Sequence, residues 1–251
     1  MRLRIAMAFL SIFAAAASAT AQTQTPNQAA TFPAVTPEPQ TAEWAQRWWM
    51  PRHEAKLKEK DQAGDIDLLF IGDSITQGWE ESGKATWQKF YGDRKAFNLR
   101  FSGDRTEQVL WRLQHGAVDG LSPELIVLLI GTNNTGHRQD PAEQTAAGIE
   151  SIVDLLHEKM PEAHVLLLGV FPRGEQSDDP MRQLNEAINA RIEPLGEREY
   201  VTYKDIGSEF LERGGQLSPQ TMPDFLHLTL ESYETWAAAI EPQIAEHVPK
   251  K

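Results

Sequence analysis

Apolar residues along this chain fall into two interleaved patterns. Short, nearly continuous runs occupy Leu68 to Ile71, Ala96 to Phe101, Leu125 to Ile130, Val165 to Val170 and Tyr200 to Tyr203. Elsewhere apolar positions recur about every 3.6 residues, over Thr106 to His115, Pro141 to Lys159, Met181 to Leu195 and Leu230 to His247. The run Leu125-Ile126-Val127-Leu128-Leu129-Ile130 has no polar face, as a strand covered on both sides requires. Asp140-Pro141 reads as a helix start, with an acid at the N-cap and proline at the first helical position; Met160-Pro161 reads as a stop. Strand and helix alternating in this way predict an α/β fold with one five-stranded parallel sheet between helical layers. Neither a second domain nor an internal repeat is apparent.

The N-terminus has a different character. Arg2 and Arg4 precede an apolar run from Ile5 to Ala17, and Ala19-Thr20-Ala21 stands before Gln22, the layout of a secretory signal peptide over residues 1–21. The apolar run is short of the roughly 20 residues that span a bilayer, and no later segment is apolar enough, so no stable membrane anchor is expected after cleavage. Residues 22–40 are rich in Thr, Gln and Pro and read as a flexible leader, leaving residues 41–251 for the folded domain. An exported protein, periplasmic or secreted, follows.

Composition narrows the chemistry. The 251 residues are 41% hydrophobic, enough for a substantial core. With 36 acidic against 24 basic residues the formal charge is -12, which disfavours nucleic acid and anionic lipid surfaces. The absence of cysteine excludes disulfides, thiolate metal sites and a thiol nucleophile.

In a parallel α/β sheet ligands bind beyond the carboxyl ends of the strands, so the residues after each run are the informative ones. The first run leads into Gly72-Asp73-Ser74-Ile75-Thr76, which places Ser74 at a helix start, either as a cap or facing a bound anion. The second leads into Ser102-Gly103-Asp104, where Gly103 permits a close backbone approach. The third leads into Gly131-Thr132-Asn133-Asn134, whose amides can donate into the same crevice. Asp224-Phe225-Leu226-His227 precedes the last helix, with an acid and an imidazole three residues apart. Singly, each is as well explained by a turn or a surface pair. Together they supply a nucleophile, oxyanion donors, a base and a carboxylate to orient it, a complete set for acyl transfer.

With these motifs in place the sequence resembles the SGNH, or GDSL-type, esterase and lipase superfamily. Within it the chain is similar to the catalytic subunits of type I platelet-activating-factor acetylhydrolases and their exported bacterial relatives. The resemblance runs from about Trp48 to the C-terminus and includes Leu69 to Ser74, Gly103-Asp104, Val109 to Leu113, Gly131 to Asn134, Pro172-Arg173-Gly174-Glu175 and Asp224 to Leu228. It implies a flavodoxin-like three-layer α/β/α sandwich, Ser74 as nucleophile, His227 as base and Asp224 as its partner. It also implies an oxyanion hole made by the Ser74 amide, the Gly103 amide and the Asn133 side chain. Arg100 and Ser102 depart from it, standing where relatives often carry glycine.

No cofactor is expected. The seven histidines are dispersed, His-Glu-x-x-His is absent and no tight trio of ligands is visible, so metal catalysis is the weaker reading. Trp44, Trp48 and Trp49 are expected to share an entry helix, and His137, after the asparagine turn, either borders the site or sits in an exposed loop. Trp79, shortly after Ser74, is the tryptophan expected to line the substrate pocket, with Asn134 and Arg173 as further binding groups. The expected activity is removal of short acyl groups, acetyl above all, from a carbohydrate or other small alcohol. The alternatives are a lysophospholipase or thioesterase on the same residues, and a non-catalytic carbohydrate- or lipid-binding module.

Overall fold

The structure, a computed structural model, describes residues 32–250; the proposed signal peptide and the first part of the leader lie outside the described residues. Five strands, β1 (Leu68–Gly72), β2 (Ala96–Arg100), β3 (Leu125–Leu129), β4 (His164–Leu168) and β5 (Val201–Lys204), form one parallel sheet in the order β2-β1-β3-β4-β5. Every pairing is parallel, with Gly72 in register with both Arg100 and Leu129. Strand order reverses between β1 and β3, so a crevice opens there at the carboxyl ends.

Both faces of the sheet are covered. Leu69, Ile71, Ile126, Leu128, Val165 and Leu167 point into one core, shared with α1 (Trp49–Ala63), α4 (Thr106–Gln114), α5 (Ala142–Lys159) and α6 (Pro180–Ile192). Their neighbours Leu68, Phe70, Val127, Leu129 and Leu166 point into the other, shared with α2 (Ser74–Gln77), α3 (Lys84–Tyr91) and α7 (Leu230–His247). The period-2 alternation of side chains on a strand thus divides each apolar run between two cores. Among the described residues no helix is long and apolar enough to cross a membrane.

The strand runs land where the pattern placed them, within two residues at each end, and the four long helices follow. Three expectations need correction. The α5 helix starts at Ala142 with Pro141 as its N-cap. Asp140 is not the cap: its carboxylate accepts from Arg138 Nε at 3.0 Å and Asn134 Nδ2 at 3.1 Å, charge-assisted bonds that outweigh a helix cap. The α6 helix ends at Ile192, short of Leu195, because Pro194 lacks an N–H and the chain tightens into a 3₁₀ turn over Glu193–Glu197. Ordered packing begins ahead of Thr41. Pro33–Val35 form a 3₁₀ turn, Ala34 is fully buried and its carbonyl accepts from Thr106 Oγ1 at 2.8 Å. Backbone and one small side chain make this anchor, so composition does not reveal it.

Candidate active site

The site is built at the exits of β1, β2 and β3. Gly72 closes β1 where a side chain would collide with the Leu129 carbonyl oxygen and Thr76 Oγ1, so the turn into α2 accepts only glycine. Asp73 is the N-cap of α2, accepting from the Ile75 amide at 3.0 Å, which leaves Ser74, the first helical residue, free of the capping duty. Burial pushes the Asp73 carboxyl up to about 7, against the Ile75 hydrogen bond and the positive potentials of His227 and Arg173.

A four-residue helix cannot hold itself in place; its last carbonyls need outside donors. Tyr233 Oη donates to Ile75 O at 2.6 Å, Asn98 Nδ2 to Thr76 O at 3.0 Å and Arg100 Nε to Gln77 O at 3.3 Å. Arg100, one of the departures from the family pattern, is therefore a buried brace beneath the nucleophile's helix, and its guanidinium also pairs with Glu80. Ser102, the other departure, donates its amide to Gln77 Oε1 at 3.0 Å, tying α2 to the β2 exit.

From the other side comes the segment before α7. Asp224 Oδ1 accepts from the amides of Leu226 at 3.1 Å and His227 at 2.7 Å, folding the chain so that Oδ2 meets His227 Nδ1 at 2.6 Å. His227 Nε2 then lies 2.9 Å from Ser74 Oγ. The carboxylate accepts a hydrogen bond from Nδ1–H, so the Nε2 lone pair faces the hydroxyl. Burial works against the Asp224 charge, but the hydrogen bonds and positive potential of His227 win and hold its carboxyl below the usual range. A bond from the Gly174 amide to Phe225 O, 3.0 Å, fastens this segment to the β4 exit.

Gly103 has φ +73°, a left-handed conformation that glycine adopts without strain. The Ser74 and Gly103 amides donate to no other group among the described residues. Asn133 donates one side-chain hydrogen to Asp104 O at 2.9 Å, leaving its second for the crevice. Asp104 itself is fully buried between Trp49 Nε1 at 2.6 Å and Arg112 Nε at 2.8 Å, so the Gly103-Asp104 turn is pinned from below.

Ser74, Asp224 and His227 thus come together, while Gly103 and Asn133 stand at the exits of β2 and β3, joined through the Asp104 carbonyl. Two other expected residues do not join them. Trp79 is 1% exposed and packs among Phe70, Trp87, Tyr91, Tyr233 and Trp236; its spacing from Ser74 sends it beneath α2, into the core. Asn134 is fully buried and its amide is spent: Oδ1 accepts from the Thr106 amide, and Nδ2 donates to Thr106 Oγ1 and Asp140, each at 3.1 Å. Arg173 does border the site. Nη1 donates to Thr132 O at 2.8 Å, and the guanidinium feels Asp73 and Asp224 without pairing with either. Sequence reasoning missed Tyr233 and Gln77 as supports, and it missed Trp44, whose indole lies against Gly103. Trp44 and Trp48 precede α1 and do not join it. No group of three His, Asp or Glu side chains suited to a metal ion occurs among the described residues.

A serine hydroxyl, imidazole and carboxylate in line, at the switch point of a 2-1-3-4-5 parallel sheet, define the class: an acylhydrolase of the three-layer α/β kind. Residues 70–235 match the GDSL-like lipase/acylhydrolase family, and the chain belongs to that family. It is 36% identical to the platelet-activating factor acetylhydrolase IB subunit alpha2 of Rattus norvegicus over 187 residues, 74% of this chain and 78% of the rat protein. Among solved structures, a GDSL-like lipase from Bacteroides thetaiotaomicron superposes with a TM-score of 0.64 at 23% identity, over 78% of this chain and 97% of that one. An acetylxylan esterase from Geobacillus stearothermophilus gives 0.59 at 20% identity, over 72% and 94%. The protein is a GDSL-type esterase.

Proposed function

We propose that this esterase removes acetyl and other short acyl groups from hydroxyls of a carbohydrate, with Ser74 as nucleophile, His227 as proton carrier and Asp224 as its orienting partner. The carrying observation is the 2.9 Å approach of Ser74 Oγ to His227 Nε2 in a triad that stands open to solvent. The His227 side chain is 45% exposed and that of Asp224 56%. A bulky alcohol can reach such a triad, whereas a long acyl chain gains little from it. The acetyl group in the name of the rat relative points the same way.

In the first step Ser74 Oγ bonds to the carbonyl carbon while His227 Nε2 takes its proton. The carbonyl oxygen becomes an oxyanion facing the Ser74 and Gly103 amides and the free hydrogen of Asn133. Collapse breaks the bond to the alcohol oxygen, which leaves with the proton from His227. Water, deprotonated by the same nitrogen, then releases the acid and restores the serine. Asp224 keeps its charge throughout and stabilises the imidazolium. The signal-peptide pattern read at residues 1–21 supports export, with the reaction outside the cytoplasm and cleavage before Gln22.

The test uses nitrophenyl acetate, butyrate and octanoate beside acetylated xylooligosaccharides, with the wild type and Ser74→Ala. A steep preference for acetate, turnover of the saccharides and a loss on the order of a millionfold in Ser74→Ala are expected. Equal rates on octanoate, or no turnover of any acetylated saccharide, overturn the substrate reading. Activity surviving Ser74→Ala overturns the mechanism.

A further inference from the structure

Trp44 is 51% exposed, the most exposed large apolar side chain among those described. The segment that carries it is held firmly. Ala45 and Trp49 are buried in the core, Gln40 Nε2 donates to Gly103 O at 3.4 Å, and Gln40 Oε1 accepts from the Ala42 amide at 3.1 Å. Trp48 Nε1 donates to Trp44 O at 3.1 Å. Core packing therefore needs the residues on either side of this indole, while the indole itself is left outside, in the one place where its edge meets the Cα of Gly103. Its ring stands edge-on to His137, centroids 6.1 Å apart at 68°, and tilts over Trp48 at 5.9 Å.

We propose that the free face of Trp44 is the platform on which a sugar ring of the substrate stacks, and that Trp44 sets the preference for the alcohol part of the ester. This rests on the carbohydrate reading above and assigns it a residue. Three observations carry it. The indole edge lies against Gly103, whose amide is an oxyanion donor, so a ring stacked on Trp44 is held close to that residue. The indole is flat and apolar at its centre, with the His137 imidazole at its edge and the Arg173 guanidinium beyond it beside Gly136. Burial, with the positive potentials of Arg105, Arg173 and Arg138, holds the His137 imidazole below its ordinary range, so it offers a neutral hydrogen-bonding edge at pH 7. A pyranose ring, with C–H groups on its face and hydroxyls around its rim, matches this division. An alkyl chain would leave the polar edge unpaired.

The experiment compares the kcat/KM ratio of acetylated xylooligosaccharide to ethyl acetate in the wild type, Trp44→Ala and Trp44→Phe, with Tm recorded for each. The expected result is a fall of at least about tenfold in the ratio for Trp44→Ala, carried by KM for the saccharide, and a smaller fall for Trp44→Phe. Titrating acetylated saccharide into Ser74→Ala should quench tryptophan fluorescence, and the quench should vanish in Ser74→Ala/Trp44→Phe. An equal loss on both esters shows that Trp44 only braces Gly103 and overturns the proposal, as does an unchanged ratio. A wild type that cleaves ethyl acetate but no saccharide overturns the carbohydrate reading itself. A wild type that cleaves saccharides with the ratio unmoved in both variants overturns the platform alone.

Discussion

Asn133 and Asp104 are joined by a hydrogen bond from the Asn133 side-chain amide to the Asp104 carbonyl oxygen, 2.9 Å long. The loop after β3 and the loop after β2 are thereby fixed to each other, and the second amide hydrogen is aimed before substrate arrives. Preorganisation of this kind does its work in the transition state, where charge develops on the carbonyl oxygen. Asn133→Ala is expected to lower kcat about 10²- to 10³-fold, roughly 3 to 4 kcal/mol, with little change in KM. Steady-state kinetics on nitrophenyl acetate check this; a change confined to KM would remove Asn133 from the oxyanion hole.

Gly103 offers a second test of the same hole, because two separate constraints act on it. Its φ of +73° strains any other residue, and a β-carbon there would meet the Trp44 ring. Gly103→Ala is expected to cost about 1 to 3 kcal/mol of stability and to depress kcat by shifting the amide. Adding Trp44→Ala should relieve the steric part only. Denaturation midpoints of the single and double variants separate the two, and full recovery in the double variant would show that backbone conformation contributes nothing.

How much of this was legible in the chain depended on what kind of side chain did the work. Strands declared themselves because Leu125 to Ile130 can be buried on both faces only in a covered sheet. Ser74, Gly103, Asn133 and the Asp224/His227 pair followed from strand exits and family resemblance. The α1 helix showed itself only through its tryptophans, and its extent did not, because its inward stripe, Trp49, His53, Lys56 and Lys60, is mostly polar. Those lysines bury their stems and spend their heads on partners: Lys60 Nζ reaches the carbonyls of Gly116 at 3.0 Å and Asp119 at 2.8 Å. Trp79 and Trp44 both lie elsewhere than their positions suggested. Closeness to Ser74 in sequence put Trp79 under the helix, whereas Trp44 reaches Gly103 only through the fold.

Asp73 makes stability depend on pH with a definite sign. Burial raises its carboxyl from an ordinary 3.8 to about 7, so between those values the folded chain keeps a proton that the unfolded chain has lost. The group's contribution is present below about 4 and is lost as pH rises through 7, at up to about 1.4 kcal/mol per pH unit. Asp73→Asn keeps an oxygen for the Ile75 amide and cannot ionise. Its Tm advantage over the wild type is expected to grow from pH 4.5 to pH 8. An advantage that shrinks over that range would mean that the native fold favours the charged carboxylate.

Asp104 and Arg112 form an ion pair with both side chains fully buried, and the Arg112 guanidinium also lies 4.1 Å from the centroid of the Phe101 ring. Burial pushes the Asp104 carboxyl up to about 6 against the pull of Arg112, and it also lowers the Arg112 guanidinium, so each charge persists through the other. Removing one partner strands the second in the core at about 3 to 5 kcal/mol, whereas removing both charges forfeits far less. Arg112→Leu is therefore expected to destabilise strongly, and Asp104→Asn in the same chain to recover part of the loss. Because the Asp104 carbonyl also orients Asn133, kcat should fall in Arg112→Leu and recover in step with stability. Urea denaturation and kinetics on the two single variants and the double variant decide it: additive losses would mean that the two charges are not coupled, and a kcat untouched by Arg112→Leu would mean that the pair does not hold the oxyanion loop.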